Sequence, residues 1–284
     1  MNVSRQFEGW YYKHQTHGKQ SKSLAVIPGK SADSAFVLVI TDCSSYHITY
    51  PLSSYNRHNN CVYIGDNIFS SSGIQLDIRN PQLTLTGDIA YTNLSSINGD
   101  IMGPFKFFPM ECRHGIISMD HQLTGTVILN GEKYNFDGGR GYIECDSGRS
   151  FPKWYTWAHC NAFERDCSIM VSVANIPFYG ISFCGCICVV LLEGREYRLA
   201  TYKGVKILKC THGFIELKQG PYKLQVTFND TQTGQVLPAP HLGKMSRSIR
   251  EAISCTARFR FMKKDTCLFD EESNLVSYEY SNSI

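Results

Sequence analysis

The sequence predicts an all-β protein on three observations. Apolar and aromatic residues recur with period two in short runs, the pattern of half-buried strands. Gly, Pro and Asn dipeptides punctuate those runs as turns. Charged residues make up only 19% of the 284, whereas Gly (23), Tyr (16) and Phe (16) are plentiful, a balance that favours sheet over exposed helix. Many short strands at such spacing indicate a sandwich or barrel, and the length suits two, each with its own core.

In the first half, strands are expected at Phe7–His14, Leu24–Ile27, Ala35–Ile40, Ser45–Tyr50, Cys61–Ile64, Ile74–Ile78 and Leu83–Tyr91. Breaks are expected at Pro28-Gly29, Asn59-Asn60 and Asn80-Pro81. TGTVIL and EKYNF flank Asn130-Gly131, the dipeptide that most readily adopts the two positive φ values of a type I′ turn, so a hairpin is expected there. Gly141–Ser147 follows as a strand. The second half repeats the texture at Trp154–Asn161, Ile169–Ala174, Phe183–Leu192, Glu196–Tyr202, Phe214–Leu217, Tyr222–Phe228, Ser254–Met262 and Val276–Tyr280, with Glu193-Gly194 and Gly220-Pro221 as turns. One short helix is expected at Met245–Ile253, where Met245, Ile249 and Ile253 recur every four residues.

The stretch from Met110 to Asn161 concentrates His, Asp, Glu, Arg and aromatic residues on strands of half-buried character. Side chains alternate along a strand, so Tyr142, Glu144 and Asp146 share one face, and Tyr155, Trp157, His159 and Asn161 share a face of the next strand. Gly138, Gly139 and Gly141 permit tight backbone geometry beside them. Two carboxylates beside aromatics raise at least one pKa by repulsion and desolvation, making Glu144 and Asp146 the candidate general acids. The alternative is that they pair with Arg140, Arg149 or Lys153 as a structural pin. His114, Asp120 and His121 are a second candidate group; the opposite parity of the two histidines keeps them from one pocket on a regular strand, and each also reads as a structural histidine. Trp10, Tyr11, Tyr12, Tyr155 and Trp157 are candidates to stack on a ring or face a cation, or else to fill a core.

FEGWYYK from Phe7, MGPFKFFPMECRHGIISMDH from Met102, GGRGYIECDSGRSFP from Gly138, the aromatic strand ending in Asn161, RLATYKG from Arg198, and LPAP, LGKM and Arg247 together resemble the tocopherol cyclase family, including its bacterial relatives. The motifs keep the family's order from Phe7 to about Phe261. The resemblance implies two consecutive lipocalin-like antiparallel β-barrels of the calycin group with little helix, divided near Cys145 into residues 1–145 and 146–284, with the site where the barrels meet. It implies proton-driven closure of a chromanol ring: a prenyl alkene is protonated and a quinol hydroxyl captures the tertiary cation, with no metal or other cofactor. Trp10, Tyr12, His114, His121, Tyr142, Tyr155, Trp157, His159 and Asn161 are then the expected substrate-binding side chains beside Glu144 and Asp146. Cys145 and Ser147 stand where the family commonly has Lys and Trp, Tyr155 where it has Trp, and His159 where it has Gln. An indole missing at Ser147 enlarges or wets the pocket.

Other classes find little support. The net charge is only +3 with no basic cluster, which argues against nucleic acid. The twelve cysteines lack paired C-x₂-C modules, so Cys184, Cys186 and Cys188 read as buried apolar side chains rather than metal ligands. No signal sequence begins the chain, so a reducing, cytoplasmic setting is expected. Cys167 to Leu192 has no charged residue, yet Asn175, Pro177, Gly180 and Gly185 interrupt it, so two buried strands joined through Asn175–Gly180 are expected rather than a membrane span; transient membrane contact for a lipid substrate stays open. There is no G-x-S-x-G elbow, GxxxxGK[ST] loop or H-E-x-x-H helix. Two functions fit the sequence: an acid-catalysed cyclase of a prenylated, hydrophobic small molecule, or a non-catalytic lipocalin-like carrier of a lipid or isoprenoid. The oligomeric state is not encoded in any motif.

Overall fold

Alternation resolves into strands along the whole chain in the computed structural model, which describes residues 6–18, 20–229 and 234–282. The first twelve are β1 (Phe7–Gln15), β2 (Ser23–Lys30), β3 (Ala35–Thr41), β4 (Ser45–Tyr50), β5 (Tyr55–His58), β6 (Cys61–Ile64), β7 (Asn67–Ser70), β8 (Gly73–Asn80), β9 (Leu83–Thr92), β10 (Cys112–Leu129), β11 (Glu132–Asn135) and β12 (Arg140–Gly148). The rest are β13 (Trp154–Cys160), β14 (Cys167–Phe178), β15 (Ile181–Leu192), β16 (Arg195–Ala200), β17 (Lys206–Thr211), β18 (Phe214–Gln219), β19 (Tyr222–Phe228), β20 (Gln235–His241), β21 (Lys244–Lys263) and β22 (Thr266–Asn282). Only short 3₁₀ segments accompany them among the described residues.

Two antiparallel sheets result. The first runs β4-β3-β2-β1-β12-β10-β9-β8-β7-β6-β5 with β11 paired to β10, and the second runs β16-β15-β14-β13-β22-β21-β19-β18-β17 with β20 paired to β21. In both, the opening strand pairs with the closing one, which in turn pairs with a long strand before it. Val37 and Ile48 near one end of the first path join Val62 and Ile64 near the other in one core, so the sheet curls over itself. The ladders stay open, since β4 and β5, and likewise β16 and β17, follow one another through 3₁₀ segments rather than as hydrogen-bonded neighbours. The second core gathers Val171, Cys188, Leu217, Val226, Phe259 and Val276 in the same manner.

The chain divides into a unit of Met1–Ile97, Cys112–Phe151 and Leu237–Ser248, and a second of Asn98–Glu111, Pro152–Val236 and Ile249–Ile284. Leu237–Ser248 is tied within the first unit by backbone bonds from Phe151 N to Pro240 O (3.2 Å), Gly243 N to Arg149 O (2.6 Å) and Ala32 N to Gly243 O (2.7 Å).

Three sequence expectations need correction. Met245–Ile253 is not helical but lies within β21. Met245, Ile249 and Ile253 share one parity with Arg247 and Glu251, so two polar residues at inward positions turn a strand's period of two into an apolar spacing of four with no helix behind it. Pro28-Gly29 does not end a strand but sits inside β2. Pro28 lacks an N–H, and the β1–β2 register accordingly skips from Gly9–Gly29 to Tyr12–Val26, while β2–β3 pairing continues through Pro28 and Val37. A Cβ on Gly29 would lie 2.5 Å from Phe36 Cζ and 2.6 Å from Glu8 O, so close packing demands glycine. Third, the segment Asn175–Gly180 is not a linker: β14 and β15 pair down to Phe178–Ile181 around Tyr179 (φ 47°) and Gly180 (φ 85°).

The expected hairpin at Asn130-Gly131 is present, with φ of 49° and 87°. Strands β5, β7, β17 and β20 carry no signal in the sequence; β5 and β17 end their sheets with largely exposed residues, so neither needs an apolar face. Among the described residues no helix is long and apolar enough to cross a membrane.

Candidate functional site

Strand β12 is central in its sheet, between β1 and β10. Its alternation sends Ile143 and Cys145 into the core and leaves Tyr142, Glu144 and Asp146 on the opposite face. Register then decides their company. On β1, Tyr11 pairs with Glu144 and Lys13 with Tyr142; on β10, His114 pairs with Asp146 and Ile116 with Glu144. This second face is also dry, with Tyr142 and Lys13 fully buried and Glu144 only 5% exposed.

His114 holds the cluster together. Its Nδ1 lies 3.0 Å from Asp146 Oδ1, and its Nε2 lies 3.3 Å from Glu144 Oε2. Each ring nitrogen thus lies within ion-pair distance of a carboxylate, and the Nδ1–Asp146 contact is a hydrogen bond. The Tyr142 hydroxyl donates to Glu144 Oε2 at 2.5 Å. Burial first, and the neighbouring Glu144 charge second, push the Tyr142 phenol well above its usual range, so it remains a donor. The Tyr11 ring stands edge-on to Tyr142 with centroids 6.4 Å apart. Cys112 Sγ reaches Asp146 Oδ1 at 3.7 Å.

The Arg140 alternative does not apply, because its guanidinium grips Asp120 in two bonds of 2.9 and 2.6 Å. A divalent cation is sterically feasible at the triad, since one ligand atom from each of His114, Glu144 and Asp146 lies within 4.8 Å of the others. The Nδ1–Asp146 separation of 3.0 Å is of hydrogen-bond length.

His121 lies on the other face of β10, as its parity required. It sits in the interior with its ring 4.6 Å from Tyr91, and its Nδ1 is 3.1 Å from Ser118 Oγ. His14 joins it there, with Nε2 accepting from the Tyr91 hydroxyl at 2.6 Å and Nδ1 donating to Leu24 O at 3.1 Å. Burial drives both imidazoles down to about 3, so they are neutral core groups. Trp10 and Tyr12 also belong to this core, and it is Tyr11 between them that faces Glu144.

The remaining sequence candidates lie in the second unit. Tyr155, Trp157 and His159 share one buried face of β13, with buried Asn161 just beyond the strand. The Tyr155 hydroxyl donates to Glu279, and His159 Nε2 lies 3.2 Å from Ser168 Oγ. In register, Glu279 of β22 is opposite both Trp157 and Glu251, and Glu251 is only 2% exposed. The sequence reading missed Glu251 and Glu279. A Tyr-Glu-Tyr alternation at Tyr278–Tyr280 was available as a signal for Glu279, but the false helix hid Glu251. The reading also passed over Lys13, a charge in the middle of an aromatic strand.

The profile of the Tocopherol cyclase-like family matches residues 87–281, which includes His114, Tyr142, Glu144 and Asp146. The chain belongs to the Tocopherol cyclase-like family. No curated protein matches it. Solved structures share the fold of this tocopherol cyclase-like chain at low identity. An AttH protein from Nitrosomonas europaea is 12% identical, with a TM-score of 0.58 over 100% of this chain and 95% of its own. Kievitone hydratase from Nectria haematococca is 13% identical, with a TM-score of 0.58 over 97% and 89%. CghA is 10% identical, with a TM-score of 0.63 over 98% and 88%.

Proposed function

We propose that this protein is an acid-catalysed cyclase of a prenylated quinol or related isoprenoid, with Glu144 and Asp146 as the proton-handling carboxylates. The observation that carries the reading is the bridged triad: one imidazole held between two carboxylates on a buried face, capped by a phenol that cannot ionise. The proton required by the substrate is delivered by one carboxylic acid of this cluster. It passes to the less substituted carbon of a trisubstituted alkene, and a tertiary cation forms. The quinol oxygen attacks that cation and its proton returns to the cluster, so the product is an isomer of the substrate. The second carboxylate, with the Tyr11 and Tyr142 rings nearby, stabilises the developing positive charge. Exclusion of water is what separates ring closure from hydration, and the buried Tyr142 and Ile116-bearing strands favour closure.

Membership of the Tocopherol cyclase-like family supports the reaction class, and the kievitone hydratase and CghA likenesses support the scaffold. The test is incubation with a panel of prenylated quinols, following an isomeric product by chromatography. Glu144→Gln and Asp146→Asn should each lower turnover by roughly 10²- to 10⁴-fold, the usual worth of a positioned acid, with folding intact. Tight saturable binding without turnover, retained by both variants, would instead identify a carrier.

A further inference from the structure

Three of the most exposed large apolar side chains described in the chain, Phe107 (78%), Tyr179 (74%) and Ile181 (69%), come from two segments of the second unit that are far apart in sequence yet joined by ring contacts of their neighbours Phe105, Phe108, Phe178 and Phe183. Tyr179 and Ile181 form the tip of the β14–β15 hairpin. Phe107 closes the 3₁₀ segment Gly103–Phe107, within an excursion between β9 and β10. Beneath these tips, Phe105 contacts Phe178 (centroids 6.0 Å) and Phe183 (5.9 Å), and Phe108 contacts Phe178 (5.5 Å).

The excursion is firmly held. Arg198 donates to Asn98 O (2.8 Å) and Asp100 O (2.9 Å), the Tyr202 hydroxyl donates to Ile101 O (2.9 Å), and Glu196 accepts from Asn98 N (2.6 Å). A Cβ on Gly103 would lie 2.6 Å from the Tyr202 ring, so glycine lets the segment close down onto it. A pinned segment that nevertheless leaves Phe107 in water needs an apolar partner outside the chain.

We propose that this aromatic tip is a docking prong for an anionic lipid bilayer surface. Its side chains are projecting tips rather than walls of a groove, which suits shallow insertion among headgroups. Tyr179 is the residue type that membrane interfaces favour, with Phe107 and Ile181 as the deeper apolar contacts. Charge agrees: neither 101–110 nor 167–192 contains an acidic residue, and Lys106 supplies an exposed cation beside Phe107.

The test is flotation of the full chain with phosphatidylcholine vesicles, with and without phosphatidylglycerol. The parent should float with the anionic vesicles. Phe107→Ser, Tyr179→Ser and Ile181→Ser should each lower the partition coefficient about tenfold, the worth of one large apolar side chain removed from water. Lys106→Gln should lower it about fivefold on anionic vesicles and not at all on neutral ones. As a check independent of the serine variants' folding, a Tyr179→Trp protein should be quenched by brominated lipid. Equal flotation of parent and serine variants, or no quenching, overturns the proposal. So does a dimer in sedimentation that the serine variants dissolve, which would make the tip a contact between copies.

Discussion

Acid should unfold the first unit through two histidines that the candidate site does not use. His14 and His121 are buried in the core beside Tyr91, and each is lowered from 6.5 to about 3, chiefly by burial and for His121 also by the proximity of His14. In the unfolded chain both bind a proton as pH falls through 6.5, whereas in the folded chain they resist until about pH 3. The unfolded state therefore gains protons first, and stability present above pH 6.5 is lost progressively between 6.5 and 3. Between pH 7 and pH 5 the loss is about 2 kcal/mol per histidine, or about 4 kcal/mol for the pair. That corresponds to a fall in Tm of about 10 °C for a protein of this size. Carboxylates held below their usual range, such as Asp33 and Asp270, titrate at lower pH and leave this window clear. Urea unfolding at both pH values measures the drop. His121→Gln, which keeps an amide donor for Ser118, should remove about half of it, and His14→Gln a similar share. A drop that is equally large in both variants would refute the assignment of acid sensitivity to this pair.

Further expectations are independent of that one. Gly141→Ala should cost about 1–3 kcal/mol by overpacking, because its Cβ would lie 2.2 Å from His121 Nε2; adding His121→Ala should recover part of the loss in a thermal-melt double-mutant cycle. Tyr142→Phe deletes the donor to Glu144 but keeps the ring, so turnover should fall about tenfold while the melting temperature shifts by only a few degrees, an outcome that steady-state kinetics and calorimetry separate. Ring closure driven by a carboxylic acid of the His114, Glu144 and Asp146 cluster should survive exhaustive chelation undiminished, and restoration by an added divalent cation after chelation would count against that acid. Arg140→Met, which removes both guanidinium bonds to Asp120, should destabilise the first unit by about 1–3 kcal/mol in urea without abolishing turnover.

Much of this protein is local information written along the chain. Period-two alternation specified the β class, most strands and the shared face of Tyr142, Glu144 and Asp146, because side-chain direction in a strand is fixed by counting. Asn130-Gly131 specified a hairpin, because Asn and Gly adopt positive φ readily, and Gly194 marked a second turn for the same reason. Motif order specified the family. Counting misleads where polar residues occupy inward positions, as Arg247 and Glu251 do in β21, and there a strand resembled a helix. Edge strands such as β5 and β17 were invisible because one-sided exposure removes the pattern. Only tertiary structure decided which carboxylates have partners and what those partners are. Arg140, two residues from Tyr142, belongs to Asp120, whereas His114, thirty-two positions from Asp146, joins both acids. Cross-strand register is a long-range quantity set by packing of whole sheets, and no spacing in the sequence encodes it.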